Sequence, residues 1–283
     1  MRSQRWLVAV DLSEVTGVVM HRAVTWFERE RSRVDTVHVV HVLPDLTFPI
    51  ESAGFGTLSG KLREELEVHA HDRVVDLARR FGPKGKPLVL VGPVVRELRA
   101  AVEELGVDLV ILGSHGHTRL EHLVGSVAER MARECHRSSL LVVYHRDEDP
   151  WTSVLVGVDL SEGSRIALRR AAHLAEIFNL SLHVMMVIPP WAVGSPTDLP
   201  DWIFRDATDA LERFLEAEGV RVDAGVVRFG LPSEELRTYA EQHNISLVLV
   251  GARGLTTDEA LTLGSTPLRL LRHARRNLYI ARG

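Results

Sequence analysis

The chain contains a second copy of itself, and that repeat restricts the folds open to it more than any other feature. Gly113-Ser114-His115-Gly116, followed after a short stretch by Gly125-Ser126-Val127, recurs as Gly251-Ala252-Arg253-Gly254 and Gly264-Ser265-Thr266. An unbroken apolar run precedes each copy, Leu109 to Leu112 in one half and Leu247 to Val250 in the other, which reads as a buried parallel strand. After each comes a Ser at an N-cap position opening an amphipathic helix. A strand, a glycine-punctuated loop and a helix N-terminus together make a phosphate cradle, because glycines let backbone N–H groups approach an anion and the helix dipole favours negative charge. Two such cradles in one chain read as two nucleotide sites, or as one site and its relic.

The repeat extends beyond the loops. Trp6 to Glu14, with Asp11-Leu12-Ser13 at its end, aligns with Val154 to Glu162, with Asp159-Leu160-Ser161. A helical pattern follows each; in the second copy Leu168, Ala171, Ala175 and Phe178 form an apolar stripe. Val37 to Pro44 matches Leu182 to Pro189, and the register drifts mainly after that, where a surface connection changes length at little cost to the core. The 283 residues therefore divide into domains at 1–147 and 151–283, joined by the polar stretch Arg146-Asp147-Glu148-Asp149-Pro150.

Each half reads as strand and helix alternating through five strands, in the first half near residues 6–11, 37–43, 87–91, 107–112 and 139–144. The expected fold class is α/β: two tandem, doubly wound, parallel five-stranded sheets with helices on both faces. Ligands in such sheets sit beyond the carboxyl ends of the strands where the strand order reverses, so Asp11 and Asp159 should face the same crevices as their glycine loops. The last strands, Leu140 to Tyr144 and Asn277 to Ala281, are apolar edges that need cover. A pseudo-twofold arrangement within the chain would supply it, with Val142 and Tyr279 in the contact, and a homodimer would extend the same logic.

Composition narrows the partners. A formal net charge of −4 and a pI near 6.4 give no global attraction to nucleic acid or anionic membrane. No stretch reaches the roughly 18 apolar residues of a membrane span, and Met1 to Arg5 leads straight into the first strand, so a soluble cytoplasmic protein is expected. The sole cysteine, Cys135, falls on a helical line with Val127 and Met131 and reads as a buried small hydrophobe. His115, His117 and His122 cluster near the first glycine loop, but no Cys or second spaced pair completes a closed site, so no protein-held metal is expected. His38 and His41 lie at odd and even strand positions and face opposite sides. The chain has no P-loop, nucleophile elbow or H-E-x-x-H, and no lysine in either glycine loop, so common hydrolytic machinery is missing.

The Asp-x-Ser after the first strand, the His-Val or Met-Val of the second, and the G-x-x-G followed by G-S together resemble the universal stress protein family in its tandem form. The resemblance covers nearly the whole chain twice. It implies an adenine nucleotide hydrolase-like α/β fold, a role in stress response, and, in the G-x-x-G branch, binding of ATP. Carried over by position, Asp159 would meet the adenine, Val187 would line its pocket, and Gly251 and Gly254 would wrap the ribose and phosphates. Gly264, Ser265 and the Thr266 backbone would hold the phosphate tail. Asp11, Val42, Gly113, Gly116, Gly125, Ser126 and Val127 occupy the corresponding places in the first half. The cofactor implied is ATP, or ADP or AMP, with Mg2+ carried in on the phosphates and held mostly by them and by water.

Departures rank the halves. Nine residues, 255–263, separate Gly254 from Gly264 as the family pattern asks, whereas eight, 117–124, separate Gly116 from Gly125. The first half has Gly92-Pro93-Val94 against Gly230-Leu231-Pro232, and Val15-Thr16-Gly17-Val18 against Gly163-Ser164-Arg165-Ile166. The second site is therefore expected to be the stronger. Two plainer readings stand beside these: the glycines could serve tight turns that need φ > 0, and Asp159 could cap its own turn, a role compatible with ligand binding. Three functions follow: a nucleotide-binding regulator acting on an unknown protein partner, a slow ATPase or adenylate-transferring enzyme, and an interaction scaffold that binds no nucleotide.

Overall fold

The structure is a computed structural model that describes residues 3–44, 56–114, 126–144, 150–193, 200–254, 263–273 and 275–283. The described residues up to Ser138 form one compact unit, and those from Ser139 onwards form another.

The first unit runs β1 (Gln4–Ala9), α1 (Val15–Glu30), β2 (Val34–Leu43), α2 (Gly56–Arg79), β3 (Gly85–Val91), α3 (Val94–Glu104), β4 (Leu109–Gly113) and α4 (Ser126–Glu134). Its strands lie in the order β3-β2-β1-β4, all parallel. The second unit contains β5 (Ser139–Val143), β6 (Ser153–Val158), α5 (Glu162–Phe178), β7 (Ser181–Ile188), α6 (Asp201–Glu218), β8 (Ala224–Phe229), α7 (Pro232–Gln242), β9 (Leu247–Gly251), α8 (Ser265–His273) and β10 (Asn277–Ala281). Its order is β5-β10-β9-β6-β7-β8, parallel apart from β5 against β10. This is the expected α/β class, a parallel-rich arrangement with helices on both faces.

Both sheets owe their parallel pairing to strands that are apolar on both faces. Trp6, Leu7 and Val8 of β1 are fully buried, and Val154, Leu155 and Val156 of β6 nearly so. Helices dock through narrow stripes. On α5 the buried line is Ala167, Leu168, Ala171 and Leu174, which shifts the expected stripe: Ala175 and Phe178 lie at its half-exposed margin. The first unit packs Trp6, Trp26, Phe27 and Phe81 edge to face, with ring centroids 5.3 to 6.4 Å apart. Cys135 is buried, as its helical spacing suggests.

The two apolar edge strands expected from the sequence pair with each other, antiparallel, with Leu278 opposite Val142 and Tyr279 opposite Leu141. Ser139 Oγ and the Arg282 backbone N–H reinforce one end at 3.1 Å, and Asn277 Oδ1 accepts from the Tyr144 N–H at 2.9 Å at the other. The consequence is a strand, β5, that continues the first sequence repeat yet packs with the second unit.

In the second unit the chain passes from β6 outwards through β7 to β8, then returns to β9 on the other side of β6. The strand order reverses between β6 and β9, and a crevice opens there at the carboxyl ends.

Candidate functional site

The crevice begins with a turn that the sequence writes twice. After β6, Leu160 takes a left-handed conformation at φ 65°, and after β1 its twin Leu12 does so at φ 59°. A branched leucine in that region costs about 1 kcal/mol or more, so something must hold it. The aspartate does. Asp159 Oδ1 accepts from the Ser161 N–H at 3.1 Å and from Ser161 Oγ at 2.5 Å, while Ser161 Oγ accepts from the Ser164 N–H at 3.2 Å and caps α5. The capping role considered for Asp159 is thus real, and it fixes the carboxylate at the crevice.

The glycine loop leaves β9 at Gly251. A Cβ added there would lie 2.6 Å from the backbone carbonyl of Gly163, the second residue of α5. A Cβ on Gly163 would in turn run into the Arg253 carbonyl oxygen, and one on Gly254 into Asp159 Oδ2. Loop and helix therefore meet backbone to backbone, a contact that admits no side chain on either partner. Among the described residues the positive-φ glycines are Gly82, Gly92, Gly106, Gly219 and Gly230, which leaves out Gly251, Gly254 and Gly264. For Gly251 and Gly254 the tight-turn explanation fails accordingly: they serve close approach, not backbone conformation.

Gly264 is different. Its N–H donates to the Ala252 carbonyl at 2.8 Å and its carbonyl accepts from Leu268, so it caps α8. A Cβ there would meet Ala252 O at 3.4 Å and Pro267 Cδ at 3.5 Å, close to ordinary contact. The protein itself makes little demand for glycine at 264; its bare face borders the cavity. The first N–H groups of a helix have no intrahelical acceptor, so those of Ser265 and Thr266 present the positive end of α8 to the same space.

These parts enclose a cavity of about 460 Å³, an ordinary volume for a small-molecule site. Asp159, Val187, Gly251, Gly254, Gly264, Ser265 and Thr266, the seven positions singled out in the second repeat, all line it. Its lining combines apolar side chains, among them Met185, Ile188, Trp191 and Leu236, with Arg253, the glycine loop and the start of α8.

The first unit repeats the turn but not the fit. Asp11 Oδ1 accepts from the Ser13 N–H at 3.0 Å, Ser13 Oγ at 2.7 Å and Thr16 Oγ1 at 3.1 Å. α1 opens at Val15 after Glu14, which makes no side-chain cap. Val15 stands where the second repeat has Gly163, so a side chain occupies the helix position that is bare backbone in the second repeat. Val42 is buried, whereas Val187 is half-exposed on the cavity. Beside it, His41 holds its Nδ1 2.8 Å from the Val10 carbonyl, in the place where Met186 lines the second cavity. Gly113 ends β4, and Ser126 and Val127 open α4. Gly116, Gly125, His115, His117 and His122 lie outside the described residues. Among the described residues no group of three His, Cys, Asp or Glu side chains is placed to hold a metal, and no helix is long and apolar enough to cross a membrane.

The sequence profile of the universal stress protein family matches residues 3–143 and again 150–282. The chain belongs to the universal stress protein family. Universal stress protein MJ0531 of Methanocaldococcus jannaschii is 30% identical over 137 residues, spanning 48% of this chain and 79% of its own length. Universal stress protein E of Escherichia coli is 24% identical over 208 residues, 65% of each chain. The crystal structure of a universal stress protein from Archaeoglobus fulgidus superposes with a TM-score of 0.66 at 20% identity, over 100% of this chain and 99% of that one, which shows a shared fold.

Within this tandem universal stress protein, two residues that line the second cavity, Arg253 and Trp191, and one that lets the glycine loop approach α5, Gly163, carry no signal in the motif. Gly163 looked only like a difference at a helix start. Arg253 sits inside the G-x-x-G itself, an unremarked cation where a lysine was sought. Trp191, a lone aromatic just past the Pro189-Pro190 pair, belongs to no periodic pattern.

Proposed function

We propose that the second repeat binds an adenine nucleotide, ATP or its ADP and AMP forms, and that this tandem protein works as a stress-response regulator whose occupancy biases a conformation or the grip on a protein partner. The reading places the chain functionally in the G-x-x-G branch of the family. One observation carries it: the seven residues that the family pattern picks out converge on one cavity at the switch point of the sheet, whose lining offers apolar side chains suited to a base and a helix N-terminus suited to phosphates. Mg2+ arriving with the phosphates would be held by them and by water. Among the described lining residues Asp159 is the one carboxylate, already occupied with the Ser161 turn, and no lysine or histidine is present. That set suits binding better than turnover, so hydrolysis should run below about one event per minute, against roughly 1 to 1000 per second for ordinary enzymes.

Calorimetry with ATP, together with mass spectrometry of any nucleotide released from freshly purified protein, tests the reading. One adenine nucleotide site per chain is expected. Gly264→Val should abolish binding while the fold persists, since the protein leaves that face of residue 264 open. Unchanged affinity in that variant would remove Gly264 and the α8 N-terminus from the site.

A further inference from the structure

Among the described residues that line the cavity is an indole that stays largely exposed. Trp191 is 59% exposed, the most exposed of the large hydrophobic side chains on the described surface, yet it lines the cavity. It is carried on a stiff support. Pro189 continues β7 in an extended conformation at φ −79° and ψ 148°, and Pro190 to Ala192 form a single 3-10 turn closed by the Ala192 N–H to the Pro189 carbonyl at 3.0 Å. Two consecutive prolines fix two φ angles, so the indole is presented with little backbone freedom left to lose on binding. Exposing that much apolar surface is unfavourable in the empty protein and becomes favourable when a flat aromatic group covers it.

We propose that Trp191 is the stacking wall for the nucleobase, and so the residue that makes the site select a nucleotide over a bare polyphosphate or a sugar phosphate. The inference rests on the nucleotide reading and deepens it. The polar part of the lining, Arg253 and the α8 N-terminus, recognises phosphate of any origin. Val187, Met185 and Leu236 supply an apolar floor without aromatic character. Among the described lining residues only the indole offers an aromatic π-face, and base–aromatic stacking tolerates any purine while rewarding the base itself. The first repeat has Leu46, not an aromatic residue, at the matching distance beyond its Leu43-Pro44.

The five tryptophans make the test direct. Trp6, Trp26 and Trp151 are at most 5% exposed, which leaves Trp191 and Trp202 open to a neutral quencher. In a Trp202→Phe chain, acrylamide should quench one tryptophan, and saturating ATP should protect it. Trp191→Ala should weaken ATP binding by about 5- to 150-fold, the range that removal of one base stack produces. Trp191→Phe should restore most of the affinity, and binding of inorganic tripolyphosphate should be the same in all three proteins. If the wild-type chain binds ATP but Trp191→Ala binds it equally well, or if Trp191 stays open to acrylamide with ATP bound, the stacking role is overturned while the nucleotide site stands. If the wild-type chain binds no ATP, the site reading falls and the stacking role with it.

Discussion

Two repeats of one design share a strained turn and differ where backbone touches backbone. Asp11-Leu12-Ser13 and Asp159-Leu160-Ser161 both hold a leucine at positive φ through an aspartate and a serine. Four residues beyond each aspartate the repeats diverge, Val15 against Gly163. In the second repeat that glycine lets the Arg253 carbonyl rest on the first turn of α5, and Gly254 rest on Asp159. The lesson is that the turn alone does not make a site. It positions a carboxylate, and in the second repeat the glycine loop closes down upon it to shape the cavity.

Moving the difference from one repeat to the other should break the comparison with the largest effect. Gly163→Val imposes the first repeat's residue on the second, and its Cβ must displace the Arg253 carbonyl or the start of α5. Overpacking of this kind costs about 1–3 kcal/mol, and the displaced loop should lose ATP altogether. Urea unfolding and calorimetry measure both. The reverse change, Val15→Gly, should create no second site, because His41 and the eight-residue loop remain. A Gly163→Val chain with wild-type affinity would mean that close approach is not what separates the repeats.

Much of this was legible in the sequence because it depends on local pattern. The apolar runs announce parallel strands, and the repeated Asp-Leu-Ser and Gly-Ser pieces announce the turn and the helix start. Partner choice was legible too, because two apolar edges in one chain can cover each other: β5 and β10 do pair, with Val142 opposite Leu278 and Tyr279 opposite Leu141; what the sequence does not show is that β5 then packs with the second unit. The motif also could not say why its glycines are glycines, since a need for positive φ and a need for space select the same residue. Trp191 and Arg253 escaped notice because single residues carry no periodicity. Conversely, His41 shows how a residue unremarkable in a strand pattern can spend its ring on a backbone carbonyl where its counterpart lines a cavity.

A second difference between the repeats is electrostatic and should appear at low pH. Glu218 at the end of α6 is 3% exposed and pairs with Arg169 at 2.6 Å and with Arg165, whose guanidinium lies 5.0 Å over Phe214. The first repeat has Gly17 and His21 at the positions of these arginines, so it lacks the cluster. The hydrogen bond from Arg169, with Arg165 assisting against the effect of burial, holds the Glu218 carboxyl below the ordinary glutamate value near 4.3. A carboxylate more acidic in the fold than in the unfolded chain stabilises the fold above the unfolded value, and that contribution is lost as pH falls through the folded one. Acid unfolding below about pH 4.5 should therefore weaken the second unit through this cluster, and Glu218→Gln should flatten its acid limb while leaving the first unit's unchanged. Hydrogen exchange resolved by segment would show it. Equal acid sensitivity with and without Glu218 would remove the cluster from the comparison.

The smallest expected effect separates two histidines that the repeat makes equivalent. His38 on β2 and His183 on β7 are both held below the ordinary histidine value near 6.5, chiefly by burial. Their neighbours differ. Arg5 and Lys86 push His38 further in the same direction, whereas around His183 the opposing charge of Asp223 offsets part of what burial and His243 do. His183 also keeps Nδ1 2.8 Å from the Tyr239 hydroxyl, a bond the neutral ring can make with either tautomer by turning the hydroxyl. A histidine that resists protonation in the fold contributes its full stability above the unfolded value near 6.5 and loses it as pH falls from there through the lower folded value. Both should give a shallow decline as pH falls below about 6.5, steeper for His38, whose charged neighbours Arg5 and Lys86 act in the same direction as burial. His38→Gln should remove more of that slope from the first unit than His183→Gln removes from the second, as measured by urea unfolding across the range. The opposite ranking would mean that the Tyr239 bond, which protonation of His183 disturbs, outweighs the difference in charged neighbours.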